Sequence, residues 1–395
     1  MKIIHVIASI DPKYGGLQAV AMRLAAAQAG LGADVNIVSY GDAAIEAQVK
    51  EIGRTIPHFE NIHWHLLPPA GRLETLFCFR GRRMLKAVLK AVLKDASFMH
   101  IHGVWEPFLL YASKLARAAG VPYCICPAGM LDHWSLGQRS WKKKIALMLC
   151  YRKMLNEAAF LHLLNVDEMA AVEPLNLQAR NLIIPNGVFA EEFDPLPARG
   201  HFRQKIALAH GRRYILFLSR LHIKKGIDIL ASAFSAICDT YVDVDLVVAG
   251  PPGGAEGHFM HLVKKLNIRH RVFMVGAIYG EAKLEAMVDA DCFCLPSRQE
   301  GFSMAITEAL ACGTPVVITD QCHFPEVGAA DAGVIVSVDA AEVAKGLASV
   351  LSNPAKARTM GENGRRLVLE KFTWPAIAHA TLEGYRLSAL DAAAS

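Results

Sequence analysis

The chain has 395 residues, 53% of them hydrophobic, and a formal net charge of +5. That length exceeds the ~250–300 residues at which one core stops growing, so two domains are expected, each apolar enough to bury its own core. No run of eighteen apolar residues occurs, the opening MKIIHVIASIDP reads as a strand rather than a signal peptide, and the nine cysteines include no C-x-x-C, which argues for a cytoplasmic protein with reduced thiols and against an exported or membrane-spanning one.

Short apolar runs at 2–8, 34–39, 98–102 and 123–126 alternate with helical patterns such as 17–29 and 107–119, the rhythm of a doubly wound α/β domain. After the first run, Gly15 and Gly16 form a turn in which backbone N–H groups could approach a phosphate closely; an ordinary turn is equally open. The turn is neither G-x-G-x-x-G nor a P-loop. The segment from Arg80 through Arg82, Arg83, Lys86 and Lys90 to Lys94 mixes basic and apolar positions in helical blocks, and Lys142, Lys143 and Lys144 follow Trp141. Each patch reads as a solvated helix face or, taken together, as contact with anionic lipid headgroups. Residues up to Phe189 carry 21 basic against 14 acidic side chains and the remainder 21 against 23, so the basic character belongs to the N-terminal half. His102 ends its strand, where a side chain facing a cleft makes a better catalytic candidate than His100; a structural histidine is the plainer reading. The C-x-C pairs Cys124/Cys126 and Cys292/Cys294 lie in predicted strands, where i and i+2 share a face, and read as core thiols rather than disulfides or a zinc site. No metal-ligand spacing stands out among the sixteen histidines.

Ile184-Pro185-Asn186-Gly187-Val188 closes a strand, and Phe193-Asp194-Pro195-Leu196-Pro197 looks like an extended linker, placing a boundary near Phe193. A second strand series follows at 214–218, 246–249, 272–275, 292–295 and 315–318. Arg220 and Lys225 come after its first strand, ahead of a helix, where two cations could neutralise a diphosphate without a metal. Gly250 follows the second strand, in a glycine-rich turn suited to lining a ligand cleft. Asp243 and Asp245 form a D-x-D of the kind that holds a divalent ion, but they lie at the amino end of their strand, the wrong sheet edge for a ligand.

The densest signal is PSRQEGFSMAITEALACGTPVV, residues 296–317. It reads as a loop, a helix capped by Ser303 and stopped near Gly313, and a further parallel strand. Glu300 and Glu308 flank the helix start, and the backbone N–H groups of Phe302, Ser303 and Met304 are placed to receive an anion. Ile306 and Leu310 share a face of this helix, and Glu308 lies ~200° from them.

Together, Gly15-Gly16, His102, the 184–188 segment, Ser219 to Gly226 and the E-x7-E block resemble glycosyltransferase family 4, the retaining enzymes of the GT-B fold. The similarity covers nearly the whole chain, including Phe372-Thr373-Trp374 and a final helix ending near Tyr385. It implies an α/β fold of two Rossmann-like domains facing each other across a deep cleft: residues 1–192 for the acceptor, 193–374 for the donor, and a C-terminal helix, 375–395, crossing back to the first domain. The implied activity is transfer of a sugar from a UDP- or GDP-linked donor to a lipid-linked saccharide or glycan precursor, at the inner face of the cell membrane. No cofactor, metal or nucleic-acid partner is expected. By position, Arg220 and Lys225 would grip the diphosphate, Glu308 the ribose and Glu300 the donor sugar. Gly301, Phe302, Ser303 and Met304 would complete the phosphate site with Gly16, Gly15 and Gly250, and His102 would lie near the transferred sugar. Two positions depart from the family pattern: Ala128 where relatives often carry a basic residue, and Leu164-Asn165 where a Ser or Thr is usual. Both put the acceptor in question. An epimerase of the same fold and a non-catalytic sugar-nucleotide-binding subunit are the alternatives.

Overall fold

The computed structural model describes residues 1–68, 79–137, 141 and 145–394. The chain divides into two compact units, Met1–Phe189 with Trp374–Ser395, and Ala190–Thr373. The first break falls three residues ahead of the sequence-based position because the turn Ala190–Phe193 already belongs to the second unit: Phe193 is buried there and its carbonyl accepts a hydrogen bond from Arg365. On the return, Trp374 N–H donates to the Val188 carbonyl.

The first unit holds seven strands, β1 (Lys2–Ser9), β2 (Asp34–Tyr40), β3 (Ile62–Leu67), β4 (Phe98–His102), β5 (Tyr123–Cys126), β6 (Phe160–Leu163) and β7 (Arg180–Ile183), in the order 3-2-1-4-5-6-7. The second holds β8 (Arg213–Leu218), β9 (Val244–Ala249), β10 (Val272–Gly276), β11 (Cys292–Leu295), β12 (Val316–Thr319) and β13 (Gly333–Val336), in the order 10-9-8-11-12-13. Neighbouring strands are parallel throughout. Parallel strands flanked by helices are apolar on both faces, which is why RYILFL and CFCL form central strands of the second sheet. Each sheet reverses its order once, between β1 and β4 and between β8 and β11, and ligands bind such sheets beyond the carboxyl ends at that point.

The C-terminal helix Trp374–Ala394 packs in the first unit against the helix Gly16–Gly30. Its Tyr385 is fully buried with Ile3, Phe98 and Phe160, ring to ring with Phe98 at 4.4 Å. No helix among the described residues is long and apolar enough to cross a membrane.

Candidate functional site

The second unit brings the segments after β8, β9 and β11 together at the carboxyl edge of its sheet. Lys225 ends the short turn Ile223–Lys225, and its Nζ lies 2.7 Å from both carboxylate oxygens of Glu300. The Lys225 and Glu300 side chains are 22% and 7% exposed. Ser297 Oγ donates to Glu300 Oε1 at 2.5 Å, so the carboxylate is held from two sides, and Glu300 backbone N–H donates to the Gln321 carbonyl and fixes the main chain there. Arg298 fastens the two loops: its guanidinium makes a bidentate pair with Asp228 at 2.7 Å and reaches the Ile223 carbonyl, while its N–H donates to the Lys224 carbonyl. Burial alone would raise the Asp228 carboxyl; the hydrogen bonds and charge of Arg298 outweigh it and hold the group below the usual range.

Glycines set how closely these loops approach. Gly226 has φ +67° and Gly250 φ +147°, and a Cβ on them would overlap the carbonyl oxygens of Pro296 and Ser219 respectively. Arg220 is exposed on the same loop, with its Cγ 2.8 Å from where a Cβ on Gly253 would stand.

The helix after β11 is Met304–Ala311, with Ser303 at its N-cap position but no side-chain cap hydrogen bond. Gly301, Phe302 and Met304 are partly exposed around that helix start. Glu308 turns from the buried Ile306 and Leu310 to Lys283 of the neighbouring helix Gly280–Asp289, Oε1 to Nζ 2.7 Å. Sequence reasoning missed Lys283, Ser297, Asp228 and Arg298. Ser297 and Arg298 stood inside the singled-out block; Lys283 carried no local signal.

Asp243 and Asp245 are occupied by arginines. Asp243 pairs with Arg213, whose hydrogen bond lowers the carboxyl, and Asp245, 2% exposed, is shared by Arg212 and Arg271. Removing the shared anion leaves two guanidinium groups facing each other. Asp245→Asn is therefore expected to cost ~3 kcal/mol of stability in chemical denaturation, with little change in turnover per folded molecule.

In the first unit, Gly15 has φ +101° and ψ −132°, a conformation that demands glycine. Gly16 opens the helix Gly16–Gly30, and a Cβ there would meet nothing within 4 Å. The structure buries His102. Its ring is 1% exposed and faces the interior: His102 Nε2 lies 2.8 Å from His5 Nδ1, and the His100 and His102 rings stack at 4.3 Å. Residues i and i+2 share a strand face, and on β4 that face lies on the side of Gln28 and Tyr385, so both histidines point inward. Burial lowers His5 and His162 to about 4 and His100 and His102 well below their ordinary value.

The two family-pattern departures also have local accounts. Asn165 caps its helix by accepting from Glu168 N–H at 2.8 Å, the role a Ser or Thr would fill. Glu168, its carboxyl raised by burial, accepts from Gly129 and Leu164 N–H and so holds the turn containing Ala128, itself at φ +50°. Of the basic patches, Arg83, Lys86, Lys90 and Lys94 are exposed along the helix Phe79–Leu93 and just beyond it, over buried Leu85, Leu89, Val92 and Leu93. Lys142, Lys143 and Lys144 and the side chains of Arg80 and Arg82 lie outside the described residues.

Two parallel Rossmann-like sheets of this kind define the GT-B architecture. Sucrose-phosphate synthase from Thermosynechococcus elongatus superposes with a TM-score of 0.78 at 22% identity, covering 98% of both chains. Anabaena HepE in complex with UDP and glucose gives 0.75 at 18% identity, over 97% of this chain and 98% of that one. The family model described as Glycosyl transferase 4-like domain matches residues 15–187, and that described as Glycosyl transferases group 1 matches residues 198–367. With this domain pair the chain belongs to glycosyltransferase family 4. The MMP alpha-(1->4)-mannosyltransferase of Mycolicibacterium hassiacum is 30% identical over 219 residues, 54% of this chain and 49% of that protein. The chain spans about half the length of the curated relatives it matches.

Proposed function

We propose that the chain is a retaining glycosyltransferase that moves a hexosyl group from a nucleotide-diphospho-sugar to a lipid-linked saccharide or glycan precursor, without a divalent ion at the diphosphate. The observation that carries this reading is the Lys225–Glu300 pair at the carboxyl edge between β8 and β11, beside exposed Arg220 and the uncapped start of the helix Met304–Ala311. An ammonium has three N–H donors. Two point at Glu300, and the third serves a phosphate oxygen, so one lysine links the sugar-binding carboxylate to the leaving group. Arg220 adds a second cation, and the helix N-terminus with Gly301, Phe302, Ser303 and Met304 adds N–H groups. Glu308, steadied by Lys283, accepts from the ribose hydroxyls. Gly250 keeps its loop close to Ser219. A nucleotide-sugar donor is also supported by the UDP and glucose bound in Anabaena HepE. The buried ring of His102 takes no proton in this scheme; the departing phosphate receives it from the acceptor.

Incubation with a panel of UDP- and GDP-sugars, read as donor hydrolysis and thermal stabilisation, tests the reading; no response to any of them overturns it. Isomerised donor without acceptor would identify an epimerase, and tight binding without any product a non-catalytic subunit. Turnover is expected to be unchanged by added Mg2+ or Mn2+, because the cationic side chains do that work.

For the acceptor, the exposed cations Arg83, Lys86, Lys90 and Lys94 occur in the same unit as exposed Trp141, Ile145 and Met148, a composition suited to an anionic membrane surface. Binding to vesicles containing anionic lipid is expected to weaken several-fold between 0.05 and 0.5 M salt, roughly as the Debye length shrinks. Salt-independent partitioning measured by sedimentation would remove the cations from the account.

A further inference from the structure

The central strands of the first sheet carry a second constellation. His5 of β1, His100 and His102 of β4, Cys126 of β5 and His162 of β6 are all buried. His102 pairs directly with Cys126 across the β4–β5 ladder. His5 Nε2 meets the Gln28 Oε1 carbonyl at 2.7 Å and must donate to it, which leaves His5 Nδ1 to accept from His102 Nε2. A neutral His102 then carries a bare lone pair on Nδ1, and that atom has no partner. His162 Nε2 donates to the Ile184 carbonyl at 2.8 Å, so its Nδ1 is also a bare lone pair without a partner. His100 Nδ1 lies 2.6 Å from the Tyr385 hydroxyl, and its Nε2 is the third unpartnered nitrogen. Such orphaned polar atoms cost ~1–3 kcal/mol each in a core, and three of them in one layer of one sheet call for a ligand.

We infer that His100, Cys126 and His162 form a structural site for a transition-metal ion that takes mixed imidazole and thiolate donors, the class of Zn2+ or Co2+. One donor atom from each lies within 4.8 Å of the other two. Tetrahedral donors at ~2.0–2.3 Å from zinc stand ~3.3–3.7 Å apart, so shifts of about an ångström close the set. The far nitrogens are already held: His162 Nε2 donates to the Ile184 carbonyl, and with the ion on Nε2 the Nδ1–H of His100 donates to the Tyr385 hydroxyl oxygen. Sulfur and imidazole donors exclude Mg2+ and Ca2+, which prefer oxygen. Binding replaces the Cys126 proton, which passes to solvent. The ion would tie β4, β5 and β6 to the C-terminal helix through Tyr385. This site is separate from the residues proposed to bind the donor and does not depend on that proposal.

The test is refolding of the full chain with Co2+ or Zn2+, desalting, and measurement of bound metal with the Co2+ absorption spectrum. About one equivalent is expected, with a thiolate-to-cobalt charge-transfer band and intense tetrahedral d–d bands. Cys126→Ser, nearly isosteric, should abolish the charge-transfer band while circular dichroism stays native, and His162→Gln should reduce bound metal at least ~10-fold. Folded wild-type protein retaining less than ~0.1 equivalent overturns the site, as does a cobalt spectrum unchanged in Cys126→Ser.

Discussion

Replacing Lys225 with alanine is expected to lower kcat/KM by ~10²–10³-fold while the chain remains folded, the loss typical of removing one preorganised group from a developing anion. Glu300→Gln should fall by a similar factor, for a different reason. The amide keeps the shape but gives up the charge that orients the lysine and one strong acceptor for a sugar hydroxyl. Because Lys225 Nζ contacts both oxygens of Glu300, the two act as a unit, and the double variant should lose far less than the product of the single losses. Stability separates the variants as well. Lys225→Ala leaves a carboxylate 7% exposed with Ser297 and no cation, a loss of ~2–3 kcal/mol. Glu300→Gln leaves a lysine that is 22% exposed and can turn to water, a smaller loss. Steady-state kinetics beside urea denaturation reads both effects. Wild-type turnover in either single variant would refute the assigned roles.

Many strands of both sheets were legible because buried parallel strands are written as apolar runs: 98–102, 123–126 and 292–295 match β4, β5 and β11 to the residue. The strands that escaped notice lack that contrast. β3, IHWHLL, is half histidine and tryptophan; β6, FLHL, carries a histidine and follows Ala158-Ala159 without a break; and β13, GVIV, opens on a glycine. The E-x7-E block was legible because Glu308 interrupts an otherwise apolar helix and Glu300 stands in the loop just before it. Its partners were not, since Lys225 reaches Glu300 across 75 residues and Lys283 reaches Glu308 from another helix. His102 shows the limit most clearly. The period of two put His100 and His102 on one face, but whether that face met solvent or core was decided by Tyr385, 285 residues after His100.

Gly226→Ala should be among the most disruptive small substitutions in the second unit, costing about 3 kcal/mol or more and lowering activity with it. Two effects combine. At φ +67° an L-residue pays ~1 kcal/mol for left-handed backbone. The added Cβ also overlaps the Pro296 carbonyl oxygen, backbone that cannot swing aside as a side chain could. Gly211→Ala isolates the first effect, because Gly211 has φ +81° and nothing within 4 Å of a Cβ; it should lose only ~1 kcal/mol. The difference between the two variants measures how tightly the 219–226 loop is pressed against the start of the Glu300 loop. Relief of the overlap must move Pro296 and Ser297 away from Lys225, so turnover should fall in Gly226→Ala and hold in Gly211→Ala. Equal stability losses in urea would show that the loops yield freely, and the Lys225–Glu300 spacing would then need another cause.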